Sequence, residues 1–309
     1  MFRVIRRIVL IVVVISVGWC AWSLLSHRMP WQQNRRTEHA LTVVTYNTNG
    51  MLVDKNAEDK LAMLNYIKQQ KADIVCLQEV LVYKNPNRFT LPDLRDAMRE
   101  YPYTYYDFKV YNSRRQFGNV VFSRYPLINK QTIRYESQSN ISSQCDVVVR
   151  KDTLRLVVNH LESFRLNGND FNLDSLGANT LRESSLNRKL THANQLRRKQ
   201  AYSVRRAIYH SPYPVIAVGD FNAIPLSAIY WMMNMGLRDC FAESSVGRYG
   251  STYVRKGIGV RIDYIFTSRA LYPLACRVGK ERYSDHYPVI ITIIYRVIIT
   301  FDTRMTRTE

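Results

Sequence analysis

Residues 214–225 read Pro-Val-Ile-Ala-Val-Gly-Asp-Phe-Asn-Ala-Ile-Pro, a short apolar run that stops at Asp220 and Asn222. Val215 to Val218 have the length and branching of a buried strand, and Gly219 lets the backbone turn so that two polar side chains stand at its end. The same pattern recurs. Leu41 to Tyr46 ends in Asn47, Asp73 to Gln78 in Glu79, and Leu154 to Asn159 in His160, while Arg261-Ile262 leads into Asp263 ahead of Tyr264-Ile265-Phe266. A further element reverses the order, with Ser284-Asp285-His286 ahead of the strand-like Tyr287 to Tyr295. The start of one antiparallel strand lies beside the end of its neighbour, so all these polar groups can gather on one rim.

Such a rim offers hard oxygen ligands for a divalent cation, together with imidazoles for proton transfer or charge stabilisation. Carboxylates with amide oxygens suit magnesium, and manganese or calcium would also fit; zinc favours a His/Cys cluster whose spacing is absent from the sequence. This chemistry suits attack of water on a phosphate ester.

In this order, Gln78-Glu79, Asn159-His160-Leu161, Gly219-Asp220-Phe221-Asn222, Ile262-Asp263-Tyr264 and Ser284-Asp285-His286-Tyr287-Pro288 resemble the endonuclease/exonuclease/phosphatase superfamily. Its members include pancreatic deoxyribonuclease, abasic-site endonucleases, neutral sphingomyelinases, inositol polyphosphate 5-phosphatases and poly(A) deadenylases. The resemblance covers about residues 40–295 and implies an α+β fold, a four-layer αββα sandwich of two packed mixed β-sheets. It also implies metal ligation by Asn47, Glu79 and Asp285, and catalytic roles for His160, Asp220, Asn222, Asp263 and His286. Asp263 would fix the tautomer of His286, Asp220 and Asn222 would orient water and phosphate, and His160 would contact a non-bridging or leaving oxygen. Either His286 with Asp263, or Asp220, would take the proton. His160 is similar to the residue of the deoxyribonuclease-like and sphingomyelinase-like branches, whereas abasic-site enzymes carry Tyr and Asn motifs in that region. Some branches have an acidic residue where this chain has Asn49, which removes one possible charge from the site.

Ahead of this domain, Ile8 to Leu25 are almost wholly apolar, and a helix of this length spans about 27 Å, close to the hydrocarbon thickness of a bilayer. The sequence therefore predicts a basic segment at 1–7, a transmembrane signal anchor at 8–26, a basic tether at 27–39, the catalytic domain at 40–298 and a polar tail at 299–309. A cleaved signal peptide competes, but no small-x-small cleavage site follows the apolar run, and Trp19 before Cys20 argues against a lipoprotein. Arg3, Arg6 and Arg7 favour a cytoplasmic N-terminus with the domain on the extracytoplasmic side; His27, Arg28, Arg35 and Arg36 follow the span and weaken that asymmetry.

The net charge is +19, of which residues 1–40 supply +5 through six Arg against one Glu, leaving +14 for the rest. That charge attracts an anionic substrate without choosing between nucleic acid, lipid headgroups and sugar phosphates. Residues 81–116 interleave Tyr101, Tyr103, Tyr105, Tyr106 and Tyr111 with Arg114 and Arg115, which fits stacked bases and paired phosphates and equally fits strands with a solvated face. Asn119 could line the cleft. A helical pattern through Leu186, Leu190, Ala193, Ala201, Val204 and Ile208 carries Arg197 and Arg198, candidate substrate-binding cations in a stretch with six excess positive charges. Leu61, Leu64 and Ile67 predict an amphipathic helix at about 57–70, and residues 226–235 another. Cys76, Cys145, Cys240 and Cys276 form no disulfide framework recognisable from spacing.

The reading is a membrane-anchored magnesium-dependent phosphoesterase that cleaves phosphodiesters, nucleic acid first. The alternatives are a phospholipid or sphingomyelin-type phosphodiesterase, a sugar or inositol phosphate phosphatase, and a catalytically silent scaffold. A lipid bilayer is expected as partner through the N-terminal helix; no protein partner is indicated, so a monomer is expected.

Overall fold

The computed structural model describes residues 39–52, 56–163, 185–244, 250–255 and 257–295. The segment 1–7, the expected membrane span at 8–26, the tether at 27–39 apart from its last residue, and the tail at 299–309 lie outside these residues. Among the described residues, no helix is long and apolar enough to cross a membrane.

Two six-stranded mixed sheets stack face to face. The first runs Tyr272–Val278 (β13), Val289–Ile294 (β14), Ala40–Asn47 (β1), Ile74–Tyr83 (β2), Arg115–Ser123 (β4) and Tyr103–Tyr111 (β3). The second runs Leu127–Ile133 (β5), Ile141–Val149 (β6), Asp152–His160 (β7), Val215–Asp220 (β8), Asp263–Ser268 (β12) and Leu237–Asp239 (β9). Each sheet holds one parallel pair at its centre, β1 with β2 and β7 with β8, and is otherwise antiparallel. A small hairpin, Tyr253–Arg255 (β10) and Ile258–Val260 (β11), stands apart.

Alternation along the strands divides the apolar residues into three cores. Leu41, Val43, Ile74, Cys76, Leu156, Val158, Ile216, Val218, Ile265 and Ile291 fill the space between the sheets. On the outer face of the first sheet, Val44, Tyr46, Val75 and Leu77 pack against Met63, Leu64 and Ile67 of helix Ala57–Gln69 (α1) and Leu94 of helix Leu91–Ala97 (α2). On the outer face of the second, Val157, Val215, Ala217 and Phe266 pack against Ala201, Val204 and Ile208 of helix Ser185–Tyr209 (α3) and Ile229 and Met233 of helix Ala228–Asn234 (α4). A fully buried Val, Leu or Ile contributes about 1.5–3 kcal/mol, so these cores dominate stability. The four layers are therefore α, β, β, α.

Two expectations change. In α1 the buried face is Lys60, Met63, Leu64 and Ile67, whereas Leu61 is exposed. Positions i, i+3, i+4 and i+7 share a face, and Leu61 lies off that stripe. In β2 the strand continues to Tyr83 instead of stopping at Gln78, because Val80, Leu81 and Val82 keep their places against β4 after a bulge between Leu77 and Val80.

Gly219 has φ +125°, and a Cβ there would lie 2.0 Å from the carbonyl oxygen of Asn159 on the parallel neighbour β7. Gly236 has φ +74° with open space around it. Gly219→Ala is expected to destabilise the domain by at least about 2 kcal/mol, and Gly236→Ala by only about 1 kcal/mol, since the first adds a backbone clash to the strain both share. Urea denaturation midpoints check this; equal shifts would show that the β7–β8 spacing yields easily.

Candidate active site

Strand register assembles the rim. The parallel pairing of β7 and β8 sets His160 beside Asp220, and the antiparallel pairing of β8 and β12 sets Asp263 on the other side of Asp220. In the facing sheet, Asn47 lies beside Gln78, so Glu79 is the first residue of β2 beyond the end of β1. Glu79 sits at the bulge with φ +54°, outside the regular pleat. His286 is delivered by the segment just before β14.

Three pairs then join one sheet to the other. Asn47 Nδ2 donates to Asp220 Oδ2 at 3.0 Å, Glu79 Oε1 lies 3.1 Å from His160 Nε2, and Asp263 Oδ2 lies 2.8 Å from His286 Nδ1. Asn47 Nδ2 also donates to Glu79 Oε1 at 2.9 Å. Asn222, at φ +48°, donates its backbone N–H to Asp220 Oδ1 and its side-chain nitrogen to Asp220 Oδ2 and to the Leu161 carbonyl. Asp285 is the most open member, with its side chain 35% exposed, and its Oδ1 is 4.0 Å from His286 Nε2.

Charge in this buried setting is set by neighbours. Burial works against a charged His286, but Asp263, and then Asp220 and Asp285, outweigh it and raise the imidazole to about 10. Burial, followed by the charge of Asp263, pushes the Asp220 carboxyl upward. Burial also acts to raise Glu79, yet His160 and the hydrogen bonds from His160 and Asn47 bring it down to about 2. His160 is itself raised: burial opposes its charge, and Glu79 overcomes that.

Asp220, Asp263 and His286 bring ligand atoms within 4.8 Å of one another. That trio is a poor cation site, because His286 is held as a cation and already occupies Asp263. Glu79 and Asp285 are the more exposed carboxylates of the rim, with side chains 25% and 35% exposed, and Asn47 and His160 both hold Oε1 of Glu79, which leaves its second oxygen for a ligand. Hard carboxylate oxygens at a partly open mouth fit a divalent ion that keeps several waters.

The family model for the endonuclease/exonuclease/phosphatase family matches residues 44–286, which contain every residue of this rim. The chain belongs to that family. Members of the endonuclease/exonuclease/phosphatase family are divalent-metal-dependent hydrolases of phosphate esters, and this chain is an enzyme of that class. No curated protein matches the sequence. Among solved structures, the fold is similar to an endonuclease/exonuclease/phosphatase from Beutenbergia cavernae, with 18% identity over 83% of this chain and 72% of that one and a TM-score of 0.63. It is also similar to a humanized TDP2 of D. rerio, with 17% identity, 82% and 99% coverage and a TM-score of 0.59. A third is beta toxin of Staphylococcus aureus, with 18% identity, 81% and 99% coverage and a TM-score of 0.57. At such identities the likeness is one of fold.

Within this family fold, several residues stand differently from their sequence reading. Asn47 turns its nitrogen to the two carboxylates and braces Glu79 against Asp220, while its Oδ1 accepts from the backbone of Asn49 at 2.9 Å. Carboxylates accept only, and a donor is what their meeting point requires. Asn119 does not line the cleft: it is 1% exposed and its Nδ2 donates to the carbonyls of Ile141 and Val158 and to Ser143 Oγ in the opposite sheet. Arg197 is no surface cation either. It is 2% exposed, its Nε donates to the Glu162 carbonyl at 2.7 Å, and burial lowers it to about 10 against the pull of Asp220 and Glu162. Arg198 is exposed on α3.

The structure adds residues absent from the sequence reading. Asn140 Nδ2 lies 3.0 Å from His160 Nε2 and donates to the Leu161 carbonyl, which Asn222 also engages. Gln200 of α3 accepts from the Glu162 backbone and donates to its carboxylate, tying the helix to the loop after His160. Thr252 Oγ1 accepts from the N–H groups of Ile262 and Asp263, and the Tyr253 ring lies 4.9 Å from the ring of His286. Asn140 closes the plain polar run Ser137-Gln138-Ser139, which carries no signal; only its place immediately before a strand marks it.

Proposed function

We propose that the enzyme is a magnesium-dependent phosphodiesterase that cleaves nucleic acid and is held at a bilayer by residues 8–26, with its N-terminus cytoplasmic and its catalytic domain on the far side. The observation that carries the reaction is the buried array in which Asp263 grips His286 at 2.8 Å while Asn47 bridges Glu79 and Asp220. The +14 charge outside the N-terminal 40 residues supports a polyanionic substrate.

Magnesium held by Glu79 and Asp285 would neutralise a phosphate oxygen and the charge gathering on the leaving oxygen. The chain's own groups do the rest. Asp263 accepts from Nδ1 of His286, so Nε2 faces Asp220 at 3.7 Å and presents a fixed positive charge to the phosphate. Asp220, raised to about 6 by burial and by the charge of Asp263, is a stronger base than an ordinary carboxylate and in its ionised form takes the proton of the attacking water. The water oxygen bonds to phosphorus as the bond to the leaving oxygen breaks. Asn222 holds Asp220 in orientation, and His160, anchored by Glu79, would contact a non-bridging or leaving oxygen of the phosphate. With manganese or calcium in place of magnesium, the same residues would serve.

A lipid phosphodiesterase is the second reading, favoured by the apolar stretch Ile8 to Leu25, which would set the site at a bilayer surface. The test is a side-by-side assay of the purified chain on plasmid DNA, single-stranded RNA, sphingomyelin vesicles and inositol phosphates, with magnesium or with EDTA. We expect cleavage of nucleic acid that EDTA abolishes. Turnover confined to vesicles would replace the nucleic-acid reading with the lipid one, and metal-independent turnover would remove the metal from the mechanism.

A further inference from the structure

Beyond the end of β1, the strands β2, β4 and β3 continue as a three-stranded wall. β1 stops at Asn47 opposite Gln78, whereas β2 pairs with β4 out to Tyr83 and Arg115, and β3 with β4 out to Tyr111 and Gln116. At the tip lies a pocket of about 430 Å³ lined by Tyr83, Lys84, Asn85, Arg88, Ser113 and Arg114. Its lining holds three cations and no carboxylate.

The tip is ordered in advance of any ligand. Lys84 Nζ lies 4.2 Å from the centroid of Tyr111, and the Arg88 guanidinium 4.2 Å from that of Tyr83. The Lys84 N–H donates to the Arg114 carbonyl at 3.0 Å, which closes β2 onto the hairpin. Asn112 Oδ1 accepts from the N–H groups of Arg114 and Arg115 and fixes the turn. Cations held against rings lose less freedom on binding an anion than free side chains do.

Position gives the pocket its meaning. Tyr83 is four residues along β2 from Glu79, about 13 Å at about 3.3 Å per residue. Every nucleotide of a nucleic-acid strand carries a phosphate, so a strand whose scissile phosphate sits at Glu79 brings another to the pocket within a few nucleotides. A single lipid headgroup, with its phosphate at Glu79, cannot reach it. We infer that the pocket of Lys84, Arg88 and Arg114 is a second phosphate site that grips a nucleic-acid strand several nucleotides from the scissile bond, with the open face of Tyr111 available to a base. This inference rests on the nucleic-acid reading above.

The test is binding without turnover. Fluorescence anisotropy with labelled single-stranded oligodeoxynucleotides of two, four and eight residues is run on the 309-residue chain in EDTA, across a range of salt. The affinity should climb with length in the unaltered chain. In the Lys84→Ala/Arg88→Ala/Arg114→Ala protein the eight-residue strand should bind at least about tenfold more weakly, with the slope of log K against log salt smaller by at least about 0.7, the share of the one phosphate the pocket would hold. A Lys84→Arg/Arg88→Lys/Arg114→Lys protein should keep most of the length dependence, which separates lost charge from lost folding. Equal affinity and slope in the alanine and unaltered proteins, or no gain in affinity with length, overturns the second site. The nucleic-acid reading fails separately, in the turnover assay with metal.

Discussion

His286→Ala is expected to lower kcat by at least about 100-fold, which corresponds to about 2.7 kcal/mol of transition-state stabilisation. The imidazole is 5% exposed, bonded to Asp263 and 3.7 Å from Asp220, and its neighbours raise it to about 10. Its neighbours therefore favour the imidazolium at neutral pH, and the ring itself is shielded from solvent. Removing it takes away charge stabilisation of the phosphate and leaves Asp220 and Asp263 facing each other without the cation between them. Loss of one partner of a buried ion pair costs about 3–5 kcal/mol in stability, so the variant is also expected to unfold at lower temperature. Steady-state kinetics and circular dichroism together separate the two losses. A folded variant with near-normal metal-dependent turnover would remove His286 from the reaction.

Glu79→Ala is expected to reduce kcat/KM by at least about 100-fold and to abolish the heat of magnesium binding in isothermal titration. Glu79 is held ionised, down to about 2, and its Oε1 is pinned by Asn47 and His160, so one oxygen is presented in a fixed place. The substitution also releases His160 from its partner, and Glu79→Gln serves as the milder comparison because it keeps a hydrogen-bonding group for Asn47. An unchanged magnesium titration in Glu79→Ala would move the ion elsewhere in the cleft. Asp285 would then be the residue to alter next.

The strand-end grammar of the sequence carries most of the architecture because a strand terminus exposes side chains only along one edge of a sheet. Runs such as Val215 to Val218 therefore announce both the core and the residue that emerges from it. Register was less accessible. That Asp263 falls opposite Asp220 follows from pairing between segments over forty residues apart, which no local pattern encodes. The inward turn of Arg197 was legible in principle, since Ala193, Arg197, Ala201, Val204 and Ile208 share one helical face, yet a cation invites a surface assignment. Lys60, on the buried stripe of α1, is the same lesson. Asn140, Gln200 and Thr252 act through bonds to backbone groups distant in sequence, and a single polar residue in a loop announces nothing of the kind.

The chain's route through the two sheets governs when the enzyme can first act. The first sheet is begun by β1 to β4, the second is then built entirely from residues 127–268, and only β13 and β14 return to complete the first, with β14 against β1. His286 travels on that last return. A ribosome adding about 5–20 residues per second needs on the order of ten seconds or more to pass from Asn47 to His286. Throughout that interval the nascent chain lacks the imidazole that Asp263 grips, and the edge of β1 that β14 covers awaits its partner. The contact between Asp263 and His286 is thus the last part of the rim to be completed.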